Sequence, residues 1–395
     1  MADDEQAPRA LSRAAGQQNL GPSTAEAAGT ADGPRAPVDD LLNEILDRLG
    51  GHTNRDQVQE LFRTVVRLAT SRAERLDLKI ANAALKEMQE GFDVFAPYRN
   101  MRKVTMFGSA RARPDDPLYS QARDLASRLA AFGWSTVTGA GPGIMAAGLE
   151  GAGPDHSFGI NIRLPFEQEP NQFIASDPKL VSMKYFFTRK LLLVKESHGY
   201  AVLPGGFGTL DEAFELLTLL QTGKATPAPV VLLDEPGGRY WHGWSHFVSA
   251  QVTSKGFINP EDTALFVVTD DVSAAASEIL GFYRNYHSLR WVGHRLVLRL
   301  QSRPTEAEVA SLSSEFSDIL LRGAIELLDG PLPAEAREGD EPGLARICLV
   351  FDRHSYARLR ELIDALNALP SAPPPPPGLQ LPARQAARLA GGADG

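Results

Sequence analysis

Cysteine is nearly absent from this chain. Cys348 is the only one in 395 residues, which excludes an intrachain disulfide framework and a cysteine-rich zinc site and fits a reducing compartment. Its expected state is a buried, inert thiol. No apolar run approaches the length needed to span a bilayer, and the amino terminus lacks the basic-then-apolar layout of a secretory signal. These absences lead to the expectation of a cytoplasmic protein with no membrane partner. Positive charge is in deficit as well: 40 lysines and arginines against 49 aspartates and glutamates give a net charge of −9. No global basic field draws in nucleic acid or anionic lipid, so nucleic-acid binding is not expected.

What is present has globular composition. Hydrophobic residues make up 43% and charged residues 23%, enough for one large domain and a smaller one. Residues 1–36 hold almost no large apolar side chain and are expected to form a disordered tail. Residues 370–395 open with a polyproline run and end in small residues, and composition places them outside the fold too. Over 37–100, apolar residues such as Leu41, Ile45, Leu61 and Val65 recur at helical steps and predict a packing or dimerisation layer.

Over 101–286, short apolar runs such as "KVTMFG", "YAVL" and "PVVLL" alternate with helical patterns. That alternation predicts an α/β domain, a mainly parallel sheet with helices on both faces. Ligands in such sheets sit beyond the carboxyl ends of the strands. Over 287–369 the order strand, helix, strand, strand, helix predicts a small α+β domain of ferredoxin-like type.

Two strand ends carry glycine-rich turns. "TVTGAGPGIM" holds Gly139, Gly141 and Gly143, and "VLPGGFGTLDE" holds Gly205, Gly206 and Gly208. Glycine lets backbone N–H groups approach a ligand closely, and a helix amino terminus favours an anion; together they suit a phosphate. Neither turn is followed by Gly-Lys-Ser/Thr, and neither has Gly-x-Gly-x-x-Gly spacing, which disfavours a nucleoside triphosphatase or a dinucleotide oxidoreductase.

Thr209 and Glu212 have the spacing of a capping box, so the plain reading of Glu212 is a helix cap; the functional one is a carboxylate beside the anion pocket. Arg189 and Lys190 sit on an otherwise apolar helix, where they either snorkel to water or meet a phosphate. "FGSARARP" ends the first strand with Gly108 and Ser109, and Arg111 or Arg113 is a further candidate for the same rim. His242 and His246 are four apart but lack a carboxylate or cysteine partner in a zinc pattern, so no metal site is expected.

These residues resemble the LOG (Lonely Guy) family, long mislabelled as lysine decarboxylases. The hallmark Pro-Gly-Gly-x-Gly-Thr-x-x-Glu runs intact from Pro204 to Glu212, with the upstream pair Arg189 and Lys190 at the matching distance. "FGSAR", "GAGPGIM", "INIRLPFEQEPN" and "YFFTRKLLLVK" are similar to the long bacterial branch, over about Lys103 to Tyr286. The resemblance implies a Rossmann-like domain and cleavage of the N-glycosidic bond of a nucleoside 5′-monophosphate to free base and ribose 5-phosphate. It implies Arg189 and Glu212 as the catalytic pair, Gly205, Gly206, Gly208 and Thr209 as holders of the 5′-phosphate, no cofactor, and a homodimer. One departure stands out: Ala140 replaces a glycine and Ala146 a glutamate of the long members' usual Gly-Gly-Gly-Pro-Gly-Ile-Met-Glu.

Two rival readings follow from the same residues. The first is a nucleotide-binding or sensing module with little catalysis, suggested by Ala146. The second is a pyridoxal-phosphate lysine decarboxylase, which requires a Schiff base on Lys190 or Lys195.

Overall fold

The computed structural model describes residues 35–50, 54–164, 169–339 and 341–391. Most of the tail expected over 1–36 lies outside the described residues. The chain divides into two compact units, Met1–Ala73 and Glu74–Gly395.

The described part of the first unit is a pair of helices, α1 (Arg35–Leu49) and α2 (Arg55–Thr70). Arg55 to Asp47 at 2.6 Å and Arg63 to Asp39 at 2.9 Å link them. Periodicity alone groups these helices with the next one, whereas the division assigns α3 (Arg75–Phe95) to the second unit.

The second unit continues with β1 (Lys103–Phe107), α4 (Pro117–Ala131), β2 (Ser135–Thr138), α5 (Ile144–Ala152), β3 (Ser157–Ile162) and β4 (Leu180–Met183). Next come α6 (Phe186–Lys195), β5 (Gly199–Val202), α7 (Phe207–Gln221), β6 (Val230–Leu233), α8 (Tyr240–Phe247), β7 (Val267–Thr269) and α9 (Val272–Gly281). The seven strands form one parallel sheet in the order β4-β3-β2-β1-β5-β6-β7. Strands β1, β2, β3, β5 and β6 are buried along their whole length, as a sheet covered on both faces requires. The domain is Rossmann-like. From β1 the chain winds outward to β4 and then returns to β5 on the other side of β1, so the strand order reverses between β1 and β5. A crevice forms at such a reversal.

The remainder is β8 (Tyr286–Val292), β9 (Arg295–Leu300), α10 (Glu306–Glu315), β10 (Leu320–Leu328), α11 (Pro333–Glu338), β11 (Ala345–Phe351), α12 (Tyr356–Asn367) and α13 (Ala383–Gly391). Its four-stranded antiparallel sheet has the order β10-β11-β9-β8. This is the ferredoxin-like arrangement with one difference: the edge strand beside β9 precedes it in sequence. Leu296, Leu298, Ile347 and Leu349 pack against Leu312 of α10 and Leu362 and Leu366 of α12. Cys348 is buried on this sheet, and burial pushes its thiol up to about 11, so it is unreactive at neutral pH.

The segment from Pro370 onward corrects the compositional expectation. Through Gly391 it packs on the fold: Ala372 is buried, and Gln385 donates to the Gly281 carbonyl at 2.9 Å. Arg384 donates to the carbonyls of Ala264 at 2.6 Å and Phe266 at 2.7 Å. A proline run has little backbone freedom to lose, so a few specific contacts are enough to order it.

Candidate active site

Three loops meet where β2, β1 and β5 end side by side. Ser109 N–H donates to the Pro204 carbonyl at 3.1 Å, and Ile144 N–H to the Ser109 carbonyl at 3.0 Å. Glycine is required at two of the contacts. A Cβ on Gly108 would stand 2.7 Å from the Ile144 side chain; one on Gly143, whose φ is 69°, would stand 2.3 Å from Ser109 O. The loops enclose a cleft of about 740 Å³.

Of the residues expected to bind substrate, Gly108, Ser109, Gly139, Gly205, Gly206, Gly208 and Thr209 line this cleft, as do Arg189 and Glu212. Gly141, Gly143 and Lys190 do not. The first two shape the turn beneath it, and Lys190 is held elsewhere. Arg111 reaches the cleft wall, whereas Arg113 is exposed and faces Asp115 at 3.8 Å.

Helix α7 begins earlier than a capping box at Thr209 requires. Gly206 is the extended residue before the helix, and Thr209 lies in the first turn with Glu212 following on the buried face. No capping pair forms. The Thr209 hydroxyl instead fills the space over Gly205, where an added Cβ would sit 2.2 Å from Oγ1. Gly206 and Gly208 face open space. The unpaired first-turn N–H groups and the positive end of the helix dipole therefore sit beside the cleft, an anion-binding arrangement.

Helix α6 supplies the cations. Arg189 Nη2 lies 3.5 Å from Glu212 Oε1, both side chains being largely buried. Arg189 Nε is buried with no hydrogen-bond partner among the described residues. The Arg189 side chain lines the cleft, with that one donor unused. Burial lowers the Arg189 pKa and Glu212 offsets part of that. Burial raises the Glu212 carboxyl above the usual carboxylate range, with Lys190 and Arg189 opposing it. Lys190 Nζ is 2.6 Å from Asp211, 2.5 Å from Glu215 and 3.7 Å from Glu212.

Two supporting residues escaped sequence reasoning. Glu87 of α3 is buried and accepts from Lys184 N–H at 2.7 Å and the Thr188 hydroxyl at 2.6 Å, closing the amino end of α6. Asn171 donates to the carbonyls of Ala140 at 3.0 Å and Gly141 at 2.8 Å, clamping the first glycine turn. Only the stretch "EQEPN" hinted at the second.

Ala140 has φ 58°, a left-handed conformation that strains a residue with a Cβ. Ala146 is in the core with Val104 and Ile144 and is not part of the cleft lining, which weakens the binding-only reading drawn from it. No metal-type cluster of three His, Cys, Asp or Glu occurs among the described residues. Nor is any of their helices long and apolar enough to cross a membrane.

Residues 143–279 match the family described as "Possible lysine decarboxylase". A protein of Oryza sativa subsp. japonica, described as "Probable cytokinin riboside 5'-monophosphate phosphoribohydrolase LOGL3", is 30% identical over 182 residues, covering 44% of this chain and 83% of its own. The chain belongs to the LOG family. A LOG protein of Mycobacterium tuberculosis (strain ATCC 25618 / H37Rv), "Cytokinin riboside 5'-monophosphate phosphoribohydrolase", is 26% identical over 167 residues, 40% of this chain and 83% of its own. Among solved structures, a molybdenum cofactor binding protein from Rippkaea orientalis aligns with 44% of this LOG chain and 91% of its own at 20% identity. Its TM-score of 0.30 is too low to bear on function.

Proposed function

We propose that this LOG protein hydrolyses the N-glycosidic bond of a nucleoside 5′-monophosphate, releasing the free base and ribose 5-phosphate. The carrying observation is the placement of Arg189 and Glu212, 3.5 Å apart, in one cleft with the glycine-rich start of α7. A phosphate at the α7 amino terminus anchors the nucleotide, so binding energy fixes the geometry of the remote glycosidic bond.

The bond between C1′ and the base nitrogen breaks with its electron pair on the base, through an oxocarbenium-like transition state. Water adds its oxygen to C1′, and its proton completes the departing base. The Glu212 carboxylate stabilises the positive charge at C1′ and orients the water. Arg189, buried and under-bonded, positions the nucleotide and favours departure of the base.

The reading includes a cytoplasmic homodimer. Phe186, Phe187 and Leu191 on α6 are exposed, and Phe207 at the cleft mouth is 94% exposed, an apolar surface of the kind a second copy covers. Sedimentation of the purified chain measures that state. For the reaction, incubation with a panel of nucleoside 5′-monophosphates followed by chromatography is expected to yield free base from at least one. If none is released from any, the hydrolase reading fails.

A further inference from the structure

We propose that Lys190 is a positioning residue for Glu212. Its buried ammonium, anchored by Asp211 at 2.6 Å and Glu215 at 2.5 Å, faces the carboxylate oxygen that Arg189 does not meet. Arg189 approaches Oε1 at 3.5 Å and Lys190 approaches Oε2 at 3.7 Å, so each oxygen of Glu212 has its own cation. Both distances are long, which leaves the carboxylate held in place yet able to bond a ligand.

The surroundings explain why a cation is needed there. Asp211, Glu212 and Glu215 crowd about one turn of α7, where like charges repel. The charged groups around Glu212 are Arg189 and Lys190 from α6, Asp211 and Glu215 from α7, and Arg111 across the cleft. Without Lys190, Asp211 and Glu215 would act on the buried Glu212 with one cation fewer to balance them. A snorkelling lysine would carry its head to water, but the Lys190 side chain is 11% exposed and its head is engaged by three carboxylates. Burial alone would lower the Lys190 pKa; the bonds to Asp211 and Glu215 outweigh it and keep the ammonium charged. A phosphate contact, by contrast, would require it to leave those partners for a cleft that it does not line.

The catalytic consequence rests on the hydrolase reading; the electrostatic one does not. The experiment is a carbon-13 NMR titration of glutamate carboxyls in the folded, full-length protein, with the Glu212 signal identified by its loss in Glu212→Gln. Lys190→Met is expected to raise the Glu212 titration by about one pH unit or more, the effect of losing an opposite charge within 4–6 Å. Lys190→Arg is expected to restore it to within a few tenths. Glu215→Gln removes a repelling charge and frees the ammonium toward Glu212, so it is expected to lower the titration.

If Lys190→Met folds and the Glu212 signal does not move, the assignment is overturned. If that variant does not fold, an unmoved titration in Glu215→Gln overturns it instead. Where nucleotides turn over, the acid limb of the kcat/KM profile follows the same shifts. Movement of the NMR titration without release of base from any nucleotide removes the hydrolase reading and leaves Lys190 assigned.

Discussion

The Glu87 carboxylate on α3 accepts the Thr188 hydroxyl at 2.6 Å, tying a helix before the first strand to the helix that carries Arg189. With the Lys184 N–H bond it pins residues on both sides of the start of α6, which has no side-chain cap of its own.

Glu87→Ala leaves the Lys184 N–H without its acceptor, while the Thr188 hydroxyl keeps the Tyr185 carbonyl at 2.9 Å. A lost acceptor costs about 1–3 kcal/mol, so denaturant unfolding is expected to show a loss of that order. Turnover is expected to fall in the folded fraction as α6 shifts Arg189.

Glu212→Gln separates a catalytic carboxylate from a cap. Because α7 begins before Thr209 and uses no side-chain cap, the variant is expected to fold, while turnover drops on the order of 10²–10³, the scale of one lost electrostatic contact to the transition state. Thermal unfolding and product assay on the same sample check both halves.

Gly205 and Gly208 flank the same turn but predict different outcomes. Gly205→Ala drives a methyl to 2.2 Å from the Thr209 hydroxyl oxygen and is expected to disrupt the loop and lower stability. At Gly208 nothing lies within 4 Å, so Gly208→Ala is expected to fold normally, and calorimetry with a nucleoside monophosphate reads any loss of binding at the cleft.

Ala140→Gly relieves a left-handed alanine. The conformation costs an L-residue about 1–2 kcal/mol, and the added freedom of glycine when unfolded returns part of it. A net gain of about 0.5–1 kcal/mol is expected in urea unfolding. No gain would mean that the Asn171 clamp tolerates the alanine without strain.

His198 makes stability depend on acid. Burial first, then Arg102, Lys103 and His287, lower its pKa from 6.5 to about 4, and its ring nitrogen accepts from Lys103 N–H at 3.3 Å. The unfolded chain then binds more protons than the native one between those values. Stability from this group is present above pH 6.5 and is lost as pH falls toward 4, by roughly 2 kcal/mol at pH 5. His198→Asn, which keeps an acceptor without titrating, is expected to flatten that slope.

The parts of the fold that lie in local pattern were legible in the sequence. β1, β5 and β6 are short, wholly buried runs, and the hallmark from Pro204 to Glu212 lies where the strand order reverses. The cap reading of Thr209 failed because spacing cannot tell which residue leaves the helix first; Gly206 does. Strand β4 was missed because it is a four-residue edge with alternate positions only partly buried, and β8 because polar residues interrupt it. Glu87 was invisible for another reason: its partner Lys184 is 97 positions away, and no local rule links them.

Helix α13 reaches back 120 residues, where Arg384 takes up the Ala264 carbonyl just before β7. During synthesis, the outer edge of the parallel sheet leaves the ribosome well before the residues that seal it. Shortening the gene at the proline run, which composition invites, would remove that seal and leave the carbonyls of Ala264, Phe266 and Gly281 to solvent beside an edge strand. The tail is better regarded as the closing stitch of the nucleotide domain than as a place for a tag.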